Sequence, residues 1–256
     1  MNSASCACAV ILAAGLSSRM GGRPKALLTL GEKNLLEHAV ACFRAGGIAD
    51  IRVVTGHGHE AVAASAGKAG VKCVYNPDYE RGMFSSVRAA FASLRAEQAE
   101  RRLDRVSAAF FLPVDAALLR PAVLRLLLLA LEHFKNENAP DEGGRPDNAV
   151  IVPVARGRTG HPPLIGSAHW QNLVAWRGDF GLRGYLASLL PTGPAEFFLA
   201  GRMPDASGLG ASPVVFLPVA DNGVLLDIDT PADLEAARAA IKPALNGGGA
   251  AYRADG

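Results

Sequence analysis

The stretch Val10-Ile-Leu-Ala-Ala-Gly-Leu-Ser-Ser-Arg-Met-Gly-Gly-Arg-Pro-Lys-Ala-Leu-Leu28 decides the fold of this 256-residue chain. Val10–Ala13 is a short apolar run of the kind a fully buried strand shows. Small residues follow at once: Ala13, Ala14, Gly15, then Ser17 and Ser18. A backbone carrying so little side chain can approach phosphate oxygens closely and present its N–H groups to them. Arg19 and Lys25 set two cations beyond the turn, and Lys25 opens a new apolar run. A polyanion is the natural guest of such a loop. The Walker pattern does not fit, because Gly15 has no Gly-Lys-Ser/Thr partner at the required distance. Nor does the dinucleotide fingerprint, since only Gly15 stands in place before Gly21 and Gly22.

Working outward, apolar runs alternate with helical patterns, which predicts a largely parallel sheet with helices on both faces. Helices are expected over Asn34–Ala45, His57–Ala66, Ser85–Arg95 and Pro121–Phe134, and strands over Ile51–Thr55, Val71–Tyr75 and Ala108–Leu112. Lys135–Asn148, polar and rich in Pro and Gly, reads as a surface loop. Ala149–Val154 returns to strand, followed by helices over Ala168–Trp176 and Leu182–Leu190. Further strands are expected at Glu196–Leu199, Val214–Val219 and Val224–Ile228. Thr230, Pro231 and Asp233 announce the last helix as a capping box. The reading gives a mobile N-terminus (1–8), one domain (9–242) and a disordered tail (243–256).

Composition narrows the class. Half the residues are hydrophobic (50%), 20% are charged, and the formal net charge is only +2, so bulk electrostatic binding of nucleic acid is not implied. The four cysteines lack zinc spacing and read as reduced thiols, with Cys6-Ala-Cys8 assigned to the mobile start. The polar opening residues do not form a secretory signal, and Leu126–Leu131 is far too short to span a membrane. A soluble cytoplasmic protein, with no nucleic-acid or membrane partner, is expected.

Several segments beyond the loop carry chemistry. Asp115 closes a buried strand, where open α/β sheets gather their ligands, and a carboxylate facing a phosphate loop can hold magnesium. A turn residue or helix cap would look the same. Asp227-Ile228-Asp229 precedes Thr230-Pro231; alternation sends both carboxylates to one face, although Asp before Thr-Pro is equally good helix-start chemistry. Between Asn76 and Ser86, Gly82 permits close approach and Ser85 or Ser86 offers a hydroxyl at a helix N-terminus.

Leu12-Ala13-Ala14-Gly15 with Arg19-Met20-Gly21 and Lys25 resembles the N-terminal motif of the MobA-like nucleotidyltransferases, with one extra residue between Gly21 and the lysine. Within that family, Ala14 and Ser17 resemble the molybdenum cofactor cytidylyltransferases most. Asp227–Pro231 resembles the family's Asp-x-Asp-Thr-Pro segment, and Asn76–Ser86 its Asn-Pro…Gly…Ser wall of the nucleotide pocket. Gly160-His161-Pro162 and Gly178-Asp179-Phe180-Gly181-Leu182-Arg183 are similar to segments that lie near the acceptor in the cofactor cytidylyltransferases. One departure stands out. Relatives usually continue Asp-x-Pro, whereas this chain has Asp115-Ala116-Ala117 with Pro113 ahead of the aspartate.

The resemblance implies a three-layer α/β/α Rossmann-like domain with a mostly parallel mixed sheet. It also implies transfer of CMP from CTP to a phosphorylated acceptor, molybdopterin favoured, with pyrophosphate leaving. Leu12, Ala13, Ala14, Gly15, Gly82 and Ser86 would contact the nucleotide, and Arg19 and Lys25 the triphosphate. Asp115 and Asp229 would hold Mg2+; His161, Asp179 and Arg183 would meet the acceptor. A sugar- or polyol-phosphate transferase, a GTP-using relative, and a nucleotide-binding regulator or cofactor chaperone remain as alternatives.

Overall fold

The computed structural model describes residues 7–100, 106–116, 118–137, 148–204 and 212–246. The N-terminal stretch folds as strand β1 (Ala7–Ala13), with every residue buried. Alternation divides its side chains between two cores. Ala7, Ala9, Ile11 and Ala13 enter one, while Cys8, Val10, Leu12 and Ala14 enter the other. A strand buried on both faces is what helices on both sides of a parallel sheet require.

The following elements are the hairpin β2 (Thr29–Leu30) and β3 (Lys33–Asn34), α1 (Leu35–Ala45), β4 (Ile51–Thr55), α2 (His59–Lys68) and β5 (Lys72–Tyr75). Then come α3 (Met83–Ala99), β6 (Ala108–Pro113), α4 (Pro121–Glu137), β7 (Val150–Ala155), β8 (Arg158–Thr159) and β9 (Leu164–Gly166). The chain continues through α5 (Trp170–Ala175), α6 (Gly181–Ala187), α7 (Thr192–Leu199), β10 (Val214–Pro218) and α8 (Pro231–Asn246). The main sheet is eight-stranded, in the order β10-β7-β9-β6-β1-β4-β5, with β8 paired to β7. β1 runs parallel to both β4 and β6, whereas β9 is antiparallel to β6 and β7. It is a three-layer α/β/α sheet of mostly parallel strands. The crossover reverses direction at β1, which opens a crevice at the carboxyl ends of β1 and β6.

Local chemistry sets the helix ends. Asn34 and Glu37 cap α1 reciprocally: Glu37 N donates to Asn34 Oδ1 at 2.9 Å, and Asn34 N to Glu37 Oε2 at 2.8 Å. At α8, Asp233 accepts from Thr230 N (2.7 Å) and Asp229 N (3.1 Å), while Asp233 N donates to Thr230 Oγ1 (3.2 Å). This box holds Asp229 at the helix entrance.

Four expectations are corrected. Ala7 and Cys8 belong to β1 and are buried, so the strand begins inside the segment expected to be mobile; residues 1–6 lie outside the described residues. Glu196–Leu199 lies in helix α7, not a strand; a short apolar run is ambiguous between the two, and Pro194 sits in the helix's first turn, where its missing N–H costs nothing. Val224–Ile228 is not a strand either. Asn222–Leu225 form a 3-10 turn because the Asp221 side chain accepts from Gly223 N at 3.0 Å and diverts the backbone from a ladder. Finally, α8 runs on to Asn246, past the expected domain end; residues 247–256 lie outside the described residues.

Candidate active site

β1 ends at the small residues, and the chain then folds back on itself. Ser17 adopts a left-handed conformation (φ 52°), and both Met20 N and Gly22 N donate to its carbonyl, at 2.9 and 3.2 Å. Its hydroxyl accepts from Lys25 N at 3.0 Å. The chain turns at Gly21 and Gly22, which sit at φ 67° and 75°, a region open to glycine at little cost. The loop therefore delivers Lys25 back to the mouth of the crevice.

There Lys25 meets two carboxylates from distant parts of the chain. Its Nζ donates to Asp115 Oδ2 at 2.7 Å and to Asp229 Oδ1 at 2.6 Å. Asp115 is presented by a 3-10 turn (Val114–Ala116) directly after β6, so the Ala116 departure leaves the carboxylate facing the loop; Ala117 lies outside the described residues. Asp229 reaches the same point because Ile228 N donates to Asp115 O at 3.1 Å, docking the segment beside β6. The Lys25 and Asp115 side chains are 16% and 17% exposed and Asp229 is 44% exposed, so the cluster opens to solvent on the Asp229 side. Arg19, 72% exposed, approaches Asp229 Oδ2 only to 3.8 Å; such a surface pair holds weakly and leaves the guanidinium free for another anion.

The electrostatics follow from this grouping. Burial alone would lower the Lys25 pKa, but its hydrogen bonds to Asp115 and Asp229 outweigh that and raise it, so the ammonium is retained. Asp227 lies close by. Desolvation by its neighbours, then repulsion from Asp115 and Asp229, pushes its carboxyl up to about 6 against the opposing pull of Lys25 and Arg158.

Two cavities open from this crevice. The first, of about 290 Å3, is lined by Leu12 to Gly15, Ser17 to Arg19, Lys25, Ser86, Asp115 and Asp229. Ser86 is buried and accepts from Asn76 Nδ2 at 3.0 Å; Ser85 accepts from the same nitrogen at 2.8 Å. Asn76 Oδ1 in turn takes Asp78 N at 3.0 Å, so one buried asparagine shapes the Asn76–Ser86 wall. The second cavity, of about 510 Å3, adjoins the first across Leu12, Met83 and Pro113. Phe84, Phe111, Phe180 and Phe198 give it aromatic walls, and Arg81, Arg183 and His161 give it polar points. His161 Nδ1 is buried with no hydrogen-bond partner among the described residues. Burial lowers the His161 pKa to about 4, with Arg183 adding to the effect and Asp115 opposing it, so the imidazole is neutral near pH 7.

Of the expected site residues, Leu12, Ala13, Ala14, Gly15, Arg19, Lys25, Ser86, Asp115 and Asp229 meet at the first cavity. Gly82 lines the second cavity instead of the first, alongside His161 and Arg183. Asp179 lines neither. Sequence reasoning missed Met83, Arg81 and Phe180. For Phe180 the sequence offers only an aromatic between Asp179 and Gly181; the structure sets it at φ 60° and 73% exposed, an expensive placement for a residue with only a packing role.

Asp115 and Asp229 come from separate segments and converge on one point, which suits a hard cation that takes one or two protein carboxylates and completes its shell with water and phosphate. Among the described residues no group of three or more His, Cys, Asp or Glu could hold a metal by itself, so substrate oxygens would be needed.

An open α/β sheet thus brings a small-residue loop, a lysine and paired carboxylates together at its switch point. The chain belongs to the MobA-like NTP transferase domain family, which matches residues 9–192. It is 45% identical over 91 residues to the bifunctional IPC transferase and DIPP synthase of Rubrobacter xylanophilus, covering 34% of this chain and 21% of that protein. It is 38% identical over 88 residues to the nicotine blue oxidoreductase of Paenarthrobacter nicotinovorans, covering 34% of this chain and 43% of that one. The chain thus matches well under two thirds of the length of each of these relatives. Among solved structures, it is similar to Rv0371c from Mycobacterium tuberculosis, with a TM-score of 0.65, 24% identity, and 91% and 97% of the two chains covered. A nucleotidyl transferase from Methanothermobacter gives a TM-score of 0.63 at 20% identity, with 93% and 98% covered. These structural likenesses establish the fold. No helix among the described residues is long and apolar enough to cross a membrane.

Proposed function

We propose that this nucleotidyltransferase moves CMP from CTP to the phosphate of a molybdopterin-type acceptor. An acceptor phosphate oxygen attacks the α-phosphorus, the bond to the β-phosphate bridging oxygen breaks, and pyrophosphate leaves with that electron pair. Such a reaction asks for positioning and charge neutralisation more than for a protein nucleophile. Asp115 and Asp229 would hold a Mg2+ ion, which would supply charge neutralisation on the phosphates when bound. Lys25 stands within reach of the same point, and on triphosphate entry its ammonium turns from the two carboxylates to the incoming oxygens. Arg19 closes on the triphosphate from the solvent side, and Ala13 to Gly15 let the backbone lie against the nucleotide.

The observation that carries the acceptor reading is the second cavity. At about 510 Å3, aromatic-walled and carrying Arg81 and Arg183, it suits a flat fused-ring anion better than a small polar sugar phosphate. Neutral His161 offers a hydrogen bond there without adding charge. The second reading is a sugar- or polyol-phosphate acceptor, whose phosphate the Arg81 and Arg183 side chains of the same cavity would also meet. Pyrophosphate release with CTP and Mg2+, run against molybdopterin, inositol phosphate and other polyol phosphates, separates the two. Release with molybdopterin alone supports the first reading; release with a polyol phosphate alone replaces it with the second.

A further inference from the structure

The turn between β4 and α2, Gly56-His57-Gly58, faces the loop that carries Lys25, and nothing in the chemistry above uses it. Yet it touches that loop along its length. His57 N donates to Ala14 O at 3.2 Å, where the loop leaves β1. His57 Nε2 lies 2.9 Å from Gly22 O, three residues before Lys25. A carbonyl only accepts, so Nε2 carries the proton in this bond. The imidazole also sits 6.4 Å from the Tyr79 ring, in the Asn76–Ser86 wall. The flanking glycines make the close approach possible. A Cβ on Gly58 (φ +65°) would come within 2.5 Å of Pro24 Cγ, and one on Gly56 within 2.8 Å of Ala14 Cβ and 2.5 Å of Tyr79 Cβ.

We infer that His57 is a positioning residue, fastening both ends of the 15–25 loop so that Lys25 and the loop N–H groups are set before the nucleotide arrives. The inference rests on the reading of that loop as the nucleotide loop. His57 makes no contact with the reacting atoms; it acts by lowering the number of conformations the loop must give up on binding. Its main-chain bond to Ala14 is kept when another residue with a backbone N–H stands at 57, so the side-chain bond to Gly22 can be tested apart from it.

Two readouts on the full-length protein test this: tryptic cleavage after exposed Arg19, followed by mass spectrometry, and CTP affinity by calorimetry. Loss of one hydrogen bond in an opening equilibrium predicts that His57→Ala is cleaved about three- to tenfold faster and binds CTP about three- to tenfold more weakly, at a nearly unchanged thermal midpoint. His57→Gln, whose amide can donate to the same carbonyl, should restore both values. The inference is overturned if His57→Ala matches the wild type in both readouts, or if His57→Gln is as impaired as His57→Ala. A midpoint that falls in step with affinity would also overturn it, because the residue would then be merely structural. If the wild type binds GTP but not CTP, only the donor changes and the affinities are compared with GTP; if it binds no nucleotide at all, the nucleotide reading fails by itself, while the cleavage ratio still decides whether His57 tethers the loop.

Discussion

The cavity beside Lys25 is floored by Ala13, Ala14 and Gly15 and rimmed by formal charges, whereas its neighbour is walled by Phe84, Phe111, Phe180 and Phe198. The first is made of backbone and charge, which recognise phosphates whatever they are attached to. The second is made of shape, which selects one body over another. The pieces also come from different places. Ala13 to Lys25 and Asp115 belong to β1, β6 and the turns that follow them, held in register by the sheet. Phe180, Arg183 and Phe198 belong to short helices packed outside it. The contrast implies that substitutions in the first cavity abolish the reaction, whereas those in the second change which acceptor reacts.

The largest effects should come from the charged cluster. Lys25→Ala should cut turnover by about 10²–10³, the typical loss for one preorganised charge contact, with the fold intact by circular dichroism. Asp115→Asn should be at least as severe and should remove most of the metal dependence of nucleotide affinity. Asp229→Asn should act in the same direction but more mildly, since asparagine also serves at a helix start. Near wild-type turnover in Lys25→Ala would remove this residue from the mechanism.

A smaller effect is expected on the choice of base. Ala14 is buried, and its methyl fills the space opposite Gly56 on the floor of the first cavity. Calorimetry should give CTP tighter than GTP, and Ala14→Gly should narrow the gap by about fourfold, the worth of one methyl group. Tighter GTP binding by the wild type would reassign the donor.

Phe180→Ala tests the second cavity. The acceptor KM should rise about three- to tenfold, the range expected for one aromatic contact, with CTP affinity unchanged. Equal loss at both substrates would erase the distinction between the cavities.

An effect on stability instead of activity concerns pH. With its folded pKa lowered to about 4 from an ordinary 6.5, His161 binds fewer protons folded than unfolded between those values. Its contribution to stability is therefore full above pH 6.5 and is lost as pH falls towards 4. Urea midpoints should show a steeper acid-side decline for the wild type than for His161→Gln across this window.

How much of this was legible in the sequence follows the same division. The Val10–Lys25 stretch could be read because β1 is buried on both faces and the loop is built from residue types that have few other uses. Asp115 could be read because a carboxylate at the end of an apolar strand has a defined position in an open sheet. The pairing of Asp115 and Asp229 on Lys25 depends instead on one backbone bond, Ile228 N to Asp115 O, which no local pattern encodes. Val224–Ile228 misled for the same reason: an apolar run looks like a strand, and only the Asp221–Gly223 turn reveals that its hydrogen bonds go elsewhere. The second cavity was hardest, because Phe84, Phe111 and Phe198 are ordinary core residues in sequence and become a wall only when α3 and α7 come together over β6.

Whether one reaction joins the two cavities is read by following the α-phosphate of labelled CTP in the presence of Mg2+ and molybdopterin. The label should pass to the acceptor, with one unlabelled pyrophosphate released for each transfer, and Asp115→Asn should abolish both. If the wild type binds CTP but the label stays on the nucleotide with every acceptor offered, the account is contradicted and the chain is a nucleotide-binding regulator or cofactor chaperone.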